Sequence, residues 1–230
     1  MLVSWFAAGV LFGAGCASGP SAENPVTAAT QPDGTPALLS FTLRVNPNGA
    51  VDTSGRGYYV VLFNAMGDPI EVTDVDTFTD FMRFDGRSLD WFHRQANLPN
   101  PGFSFVQVGS LNQSWRISDA QSLTIVLDNN DPNNLLNQFI TAQRFSAHLA
   151  TTDNFQGANI GRILDTLGQG PGIDANSLQT VQLDKVAGAL NPLPQFFPDD
   201  PINDWIARDD LGADFPFPNF DVVKFEVNIL

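Results

Sequence analysis

Two stretches, one at each end of the folded part of the chain, alternate apolar and polar residues with a period of two. In the first, Leu39, Phe41, Leu43 and Val45 are separated by Ser40, Thr42 and Arg44. In the second, Val223, Phe225, Val227 and Ile229 are separated by Lys224, Glu226 and Asn228. Successive side chains of an extended chain point to opposite faces, so both stretches read as strands with one face buried. Residues 58–63 (Tyr-Tyr-Val-Val-Leu-Phe) are apolar at every position, as in a central strand covered on both faces. Further strand signals lie at 78–84, 89–94, 103–108, 113–117, 123–127 and 178–183, with a longer one at 139–149. Asp85-Gly86-Arg87 between two of them is a hairpin turn. Nine or ten short strands separated by turns predict an all-β fold, an antiparallel β-sandwich.

Two short helices are expected to interrupt the strands. Asn159 can cap a turn carrying Ile160, Ile163, Leu164 and Leu167. Asp200-Pro201 can open a second, with Ile202, Trp205 and Ile206 on one face and Gly212 beyond its end. Residues 191–219 interleave Pro192, Pro194, Pro198, Pro201, Pro216 and Pro218 with Phe196, Phe197, Phe215 and Phe217. That stretch reads as a proline-stiffened excursion covering one sheet edge or end.

The chain has 19 Phe and 4 Trp among 230 residues, enough apolar bulk for one sizeable core. Its 25 acidic and 11 basic residues give a net charge of −14. Such a surface repels nucleic acid and anionic lipid headgroups, so no nucleic-acid partner is expected.

The apolar opening, about a dozen residues, suits a signal-peptide core and is too short to cross a bilayer core of ~30 Å as a helix. It ends in Gly13-Ala14-Gly15-Cys16, and Cys16 is the only cysteine. This segment resembles the lipobox of bacterial lipoproteins, although Gly13 stands where that family usually has an aliphatic residue. The resemblance covers the first 16 residues. It implies cleavage before Cys16, a diacylglyceryl thioether on its sulfur, and an acylated amine. Residues 1–15 would then be the signal peptide, 16–36 a lipidated tether and 37–230 the sandwich domain, held outside the cell membrane by the acylated Cys16. Ala17 rather than Asp after the cysteine implies the outer membrane in a cell that has two. Residues 17–36 are rich in Pro, Ser, Thr, Ala and Gly and would reach roughly 25 Å as a flexible chain.

Catalytic signatures are sparse. His93 and His148 are the only histidines, and the sequence contains no G-x-S-x-G elbow and no H-E-x-x-H zinc motif. Calcium is the more natural metal, because it takes hard oxygen ligands. Asp128, Asn130 and Asp131 belong to the densest Asp/Asn cluster, and Asp74, Asp76 and Asp80 form a second. The same residue types also build ordinary turns. Asp80 shares its strand face with Phe78, Met82 and Phe84, which suggests a buried, paired carboxylate or a local bulge.

Trp91 and Tyr58, with Trp115 and Tyr59, could stack on sugar rings or fill the core. The expectation is therefore an extracytoplasmic, membrane-anchored binding or envelope-structural protein without catalysis and without an obligate cofactor. A glycan or another protein would be its partner. The alternatives are a carbohydrate-binding module with structural calcium, and an envelope glycoside hydrolase using a carboxylate pair.

Overall fold

The computed structural model describes residues 38–95, 104–112, 114–128, 144–153, 162–167, 181–184, 195–196, 203, 205–207 and 209–229. Cys16 and the expected tether lie outside them. The described residues are mostly strand, arranged as two antiparallel sheets. The strands are β1 (Leu38–Val45), β2 (Tyr58–Asn64), β3 (Asp80–Phe84), β4 (Leu89–Gln95), β5 (Ser104–Ser110), β6 (Trp115–Asp119), β7 (Ser122–Asp128), β8 (Arg144–Thr152), β9 (Ile163–Thr166), β10 (Val181–Asp184), β11 (Gln195–Phe196) and β12 (Val222–Ile229). One sheet has five strands in the order β11-β12-β1-β7-β6. The other has seven, β10-β8-β2-β3-β4-β5, with β9 added against β8.

The alternation read from the sequence places the core. Leu39, Phe41 and Leu43 of β1, Leu123, Ile125 and Leu127 of β7, and Phe225 and Val227 of β12 form the inner face of the five-stranded sheet. They meet Tyr59, Val61 and Phe63 of β2, Met82 and Phe84 of β3, and Leu89 and Trp91 of β4. The two sheets therefore face one another across one apolar layer, sandwich-like. Phe41 contacts Phe63 edge-on at 5.2 Å between ring centres, and Phe84 meets Trp115 at 4.7 Å.

Strand β2 is apolar on both faces because both are covered. Val60 and Leu62 point away from the inner core into a second cluster with Ile70, Val72, Phe78, Phe81, Phe92, Phe105 and Ala150. Residues 65–79, between β2 and β3, supply Ile70, Val72 and Phe78 as its lid. Phe78 precedes β3 and joins this outer cluster, so it does not share a face with Asp80, Met82 and Phe84 as the alternation suggested.

Three expectations are corrected. No α-helix occurs among the described residues, only three-residue 3-10 turns at Val75–Thr77, Asp209–Leu211 and Phe217–Asn219. Ile163 and Leu164, expected on a helix capped by Asn159, lie in β9. There the strand pairs with β8, Ala150 opposite Thr166 and Thr151 opposite Asp165, and an available sheet edge outweighs a short helical pattern. Asn159 and Ile160 are outside the described residues. Residues 205–207, expected on the second helix, have no regular structure. Finally, the β1–β12 register skips one residue, pairing Arg44 with Lys224 and Val45 with Val222. This bulge sends Val222 into the core in place of Val223, which is half-buried.

The described part of the proline-rich excursion does close one end of the core. Phe215 stacks on Phe220 at 5.3 Å, and Phe220 on Tyr59 at 5.6 Å. Trp205 stacks on Phe217 at 6.2 Å. Gly49 is required here, since a Cβ would stand 2.2 Å from the Pro218 carbonyl oxygen. At the β3–β4 hairpin Gly86 takes φ 88°, and a Cβ would sit 2.6 Å from the Asp52 carbonyl oxygen.

Candidate functional site

The β3–β4 hairpin brings together the most unusual polar group of the inner core. Asp80 opens β3 and lies directly across from His93 on β4. Its carboxylate is 1% exposed. Oδ1 accepts a hydrogen bond from the Trp91 indole N–H at 3.1 Å and lies 2.7 Å from His93 Nδ1. An ionised carboxylate can only accept, so this contact puts a proton on Nδ1. The His93 side chain is 39% exposed, so the pair runs from the core to the surface. Asp80 Oδ2 has no hydrogen-bond partner among the described residues.

An oriented imidazole backed by a buried carboxylate can serve as a base or as one metal ligand. Nucleophilic catalysis needs a hydroxyl or thiol beside it, and among the described residues no serine or threonine hydroxyl bonds to His93. His148 does not contribute. It lies opposite Leu62, on the outer face of the same sheet, whereas His93 points inward. His148 Nδ1–H donates to the Leu149 carbonyl at 2.9 Å, and Nε2 is buried without a partner among the described residues. Burial, only partly offset by that bond, pushes its pKa down to about 4.

The two leading aromatic candidates are separated by the thickness of the sheet. Trp91 is fully buried, stacked on Phe63 at 5.5 Å with 5° between the rings. Its face is used by the core and cannot receive a sugar, which corrects the reading of Trp91 as a ligand platform. Tyr58 is half-buried and packs on the outer side of the same sheet, against the second cluster. The Arg83 guanidinium lies 5.5 Å from the Tyr58 ring centre and 4.8 Å from that of Phe92. Arg83 also pairs with Asp90 at 3.2 Å, and Gln107 Nε2 donates to Asp90 Oδ1 at 2.9 Å. Tyr58, Arg83, Asp90 and Gln107 thus form a mixed aromatic and polar patch across β2, β3, β4 and β5. Sequence periodicity missed it, because its members come from four strands. Tyr59 and Trp115 are core residues: Tyr59 is buried with its hydroxyl bonded to the Asn219 carbonyl at 2.8 Å, and Trp115 packs half-buried against Phe84.

The acidic clusters fare differently. Asp128 ends β7, and Asn130 and Asp131 lie outside the described residues. Asp74, Asp76 and Asp80 are described and do not converge. Asp74 accepts the backbone N–H of Asp76 at 2.9 Å, Asp76 pairs with Arg94 at 2.8 Å, and Asp80 serves Trp91 and His93. Among the described residues no group of three or more His, Cys, Asp or Glu is placed to hold a metal ion.

A further buried carboxylate is structural. Asp221 Oδ2 accepts from Asn46 Nδ2 at 2.5 Å and from the Asn203 backbone N–H at 2.8 Å, tying the excursion to the β1 end. Asn203 takes φ 71° to make that contact. In comparisons with known proteins, no protein family, no curated protein and no solved structure matches this chain.

Proposed function

We propose that this chain is a membrane-anchored extracytoplasmic lipoprotein whose β domain works by binding rather than by catalysis. The observation that carries the reading is Cys16, the sole cysteine, placed directly after an apolar run and small residues. Acyl chains on one sulfur and one amine would hold the protein firmly, since each buried CH₂ contributes ~0.8 kcal/mol. The net charge of −14 supports an anchor of this kind, because a surface so acidic gains nothing from anionic headgroups. The Pro/Ser/Thr-rich residues 17–36 would hold the domain clear of the bilayer.

The test is intact mass and membrane fractionation of the natively expressed protein beside Cys16→Ser. Acyl mass on the wild type, with the variant released from the membrane fraction, is expected. An unmodified wild type in the soluble fraction would overturn the anchor.

A second reading, glycan binding, is favoured by the patch around Tyr58. A half-buried ring flanked by Arg83, Asp90 and Gln107 offers a stacking edge together with hydroxyl partners. Glycan-array binding that is lost in Tyr58→Ala and Gln107→Ala would support it. An array without a hit would remove it.

A further inference from the structure

An asparagine side chain can close on its own backbone. The backbone nitrogen of the next residue loses its proton and attacks the side-chain carbonyl carbon. A five-membered ring forms and ammonia leaves. Water then opens the ring at either carbonyl, giving aspartate or isoaspartate, in which the main chain runs through the β-carbon. The closure needs a side-chain amide free to turn, a following residue without bulk, and a backbone that brings the two atoms together.

Asn48-Gly49 is the only Asn-Gly pair in the chain. Asn48 is exposed, and its side chain makes no hydrogen bond among the described residues. The other asparagines with described side chains are tied. Asn46 donates to Asp221 and Asn203, and it precedes Pro47, whose nitrogen has no proton to lose. Asn64 donates to the Thr77 carbonyl at 2.7 Å. Asn112 accepts the Leu89 N–H at 3.1 Å, and Asn219 the Ala50 N–H at 3.0 Å. Asn203 accepts from Asn46 at 3.1 Å. Asp85-Gly86 is a comparable acidic pair, but Asp85 Oδ1 accepts the backbone N–H groups of Arg87 and Ser88. Burial raises the pKa of Asp85, yet the bonds from Ser88 and Arg87 outweigh it and hold the carboxyl below the usual range. An ionised carboxylate fixed in this way is a poor electrophile.

Packing keeps the reactive pair in place. Gly49 admits no Cβ, because Pro218 lies against it. The Gly49 N–H donates to the Asn46 carbonyl at 2.8 Å. That is a single turn bond at the surface, of the kind that opens at low free energy. The same turn docks the proline-rich excursion. Beside the Gly49–Pro218 contact, the Ala50 N–H holds Asn219, and Gln121 Nε2 donates to the Gly49 carbonyl at 3.1 Å. Isoaspartate at position 48 adds one carbon to the main chain immediately before Gly49. Gly49 then cannot keep both its place against Pro218 and its bond to Asn46.

We propose that Asn48 is a site of spontaneous deamidation by water, and that its isoaspartate product loosens the docking of residues 209–221. This does not depend on the anchor or on glycan binding. The test holds the full chain folded in neutral buffer with mild detergent, beside the same chain unfolded in urea. Both are sampled over weeks and peptide-mapped with fragmentation that separates aspartate from isoaspartate. In the folded chain Asn48 is expected to exchange its amide for a carboxyl before Asn46, Asn64, Asn112, Asn203 or Asn219 does. The isoaspartate form, separated by ion exchange, is expected to show faster hydrogen exchange over 209–221 than Asn48→Asp, which carries the same charge on an unaltered backbone. An Asn48 that stays intact in the folded chain after the unfolded chain has converted would overturn the site. Equal exchange in the isoaspartate form and Asn48→Asp would overturn the loosening.

Discussion

The two faces of the seven-stranded sheet are buried in different ways. The inner face meets a second sheet, and its aromatic residues are fixed from both sides: Phe63 lies between Trp91 and Phe41. The outer face is roofed by residues 65–79, chiefly Ile70, Val72 and Phe78. Phe78 stacks on Phe105 at 5.2 Å and meets Phe81 edge-on at 6.4 Å. One cluster is held by regular hydrogen-bonded ladders on both sides. The other is held on one side by a segment whose only regular structure is the turn Val75–Thr77. Equal burial therefore need not mean equal cooperativity, because a lid can open while the sheet beneath it stays paired.

The sharpest way to break that contrast is a pair of truncations. Phe63→Ala is expected to cost about 3–5 kcal/mol of global stability, because neither sheet can collapse into the space. Phe78→Ala is expected to cost about 3 kcal/mol or less, with hydrogen-exchange protection lost first within 65–79. Chemical denaturation with residue-resolved exchange measures both. Equal losses spread over the whole domain would show that lid and sheets unfold as one unit.

Acid should attack the outer face first. His148 is buried beside Leu62, and its pKa is near 4 in the folded protein. In the unfolded chain it would be near 6.5, so between these values the unfolded state binds more protons. The stability tied to a neutral His148 is present above pH ~6.5 and is lost as pH falls toward and through 4, about 3 kcal/mol in all. Carboxylates titrate in the lower part of this window too, so the difference between wild type and His148→Gln isolates the histidine. The variant should have a flatter stability profile from pH 6.5 to 4. Parallel profiles would place the acid sensitivity elsewhere.

On the inner face, Asp80→Asn keeps the shape and removes the charge that Trp91 and His93 bond to. A loss of about 1–3 kcal/mol is expected, the usual cost of leaving buried donors poorly matched. Trp91 fluorescence should shift as its indole N–H loses the carboxylate. No shift in either signal would mean that Asp80 carries little of the hairpin's stability. Smallest of all, Arg94→Ala removes the link from β4 to the lid at Asp76. Asp76 is 60% exposed, so at most about 1 kcal/mol should follow, with the effect confined to exchange within the lid.

Much of the β class was legible locally. Period-two alternation in β1 and β12 needs no partner to be read, and it put Phe41, Leu43, Phe225 and Val227 on the correct face. The unbroken apolar run of β2 correctly signalled two covered faces. The oddity of Asp80 was visible too, as a carboxylate at a position reserved for apolar residues, although the identity of its partners was not. The candidate site was far less legible. A buried tryptophan and a half-exposed tyrosine have the same chemistry on paper, and Trp91 and Tyr58 were separated only by which face of the sheet each occupies.

The backbone period alone dictates a mostly β fold, its main strands and most of the inward residues of β1 and β12, and the sequence shows a lone Cys16 behind an apolar run. Tertiary structure decided the rest, because each remaining choice depends on atoms distant in the chain. Ile163–Thr166 became a strand because β8 offered an edge. Val222 displaced Val223 from the core because the register with β1 slips by one residue. Asp80 found His93 and Trp91 because the hairpin folds them across from it, and Tyr58 joined Arg83, Asp90 and Gln107 because four strands lie side by side. Local periodicity sets which way a side chain points, and only the packing of sheet on sheet and lid on sheet sets what it meets.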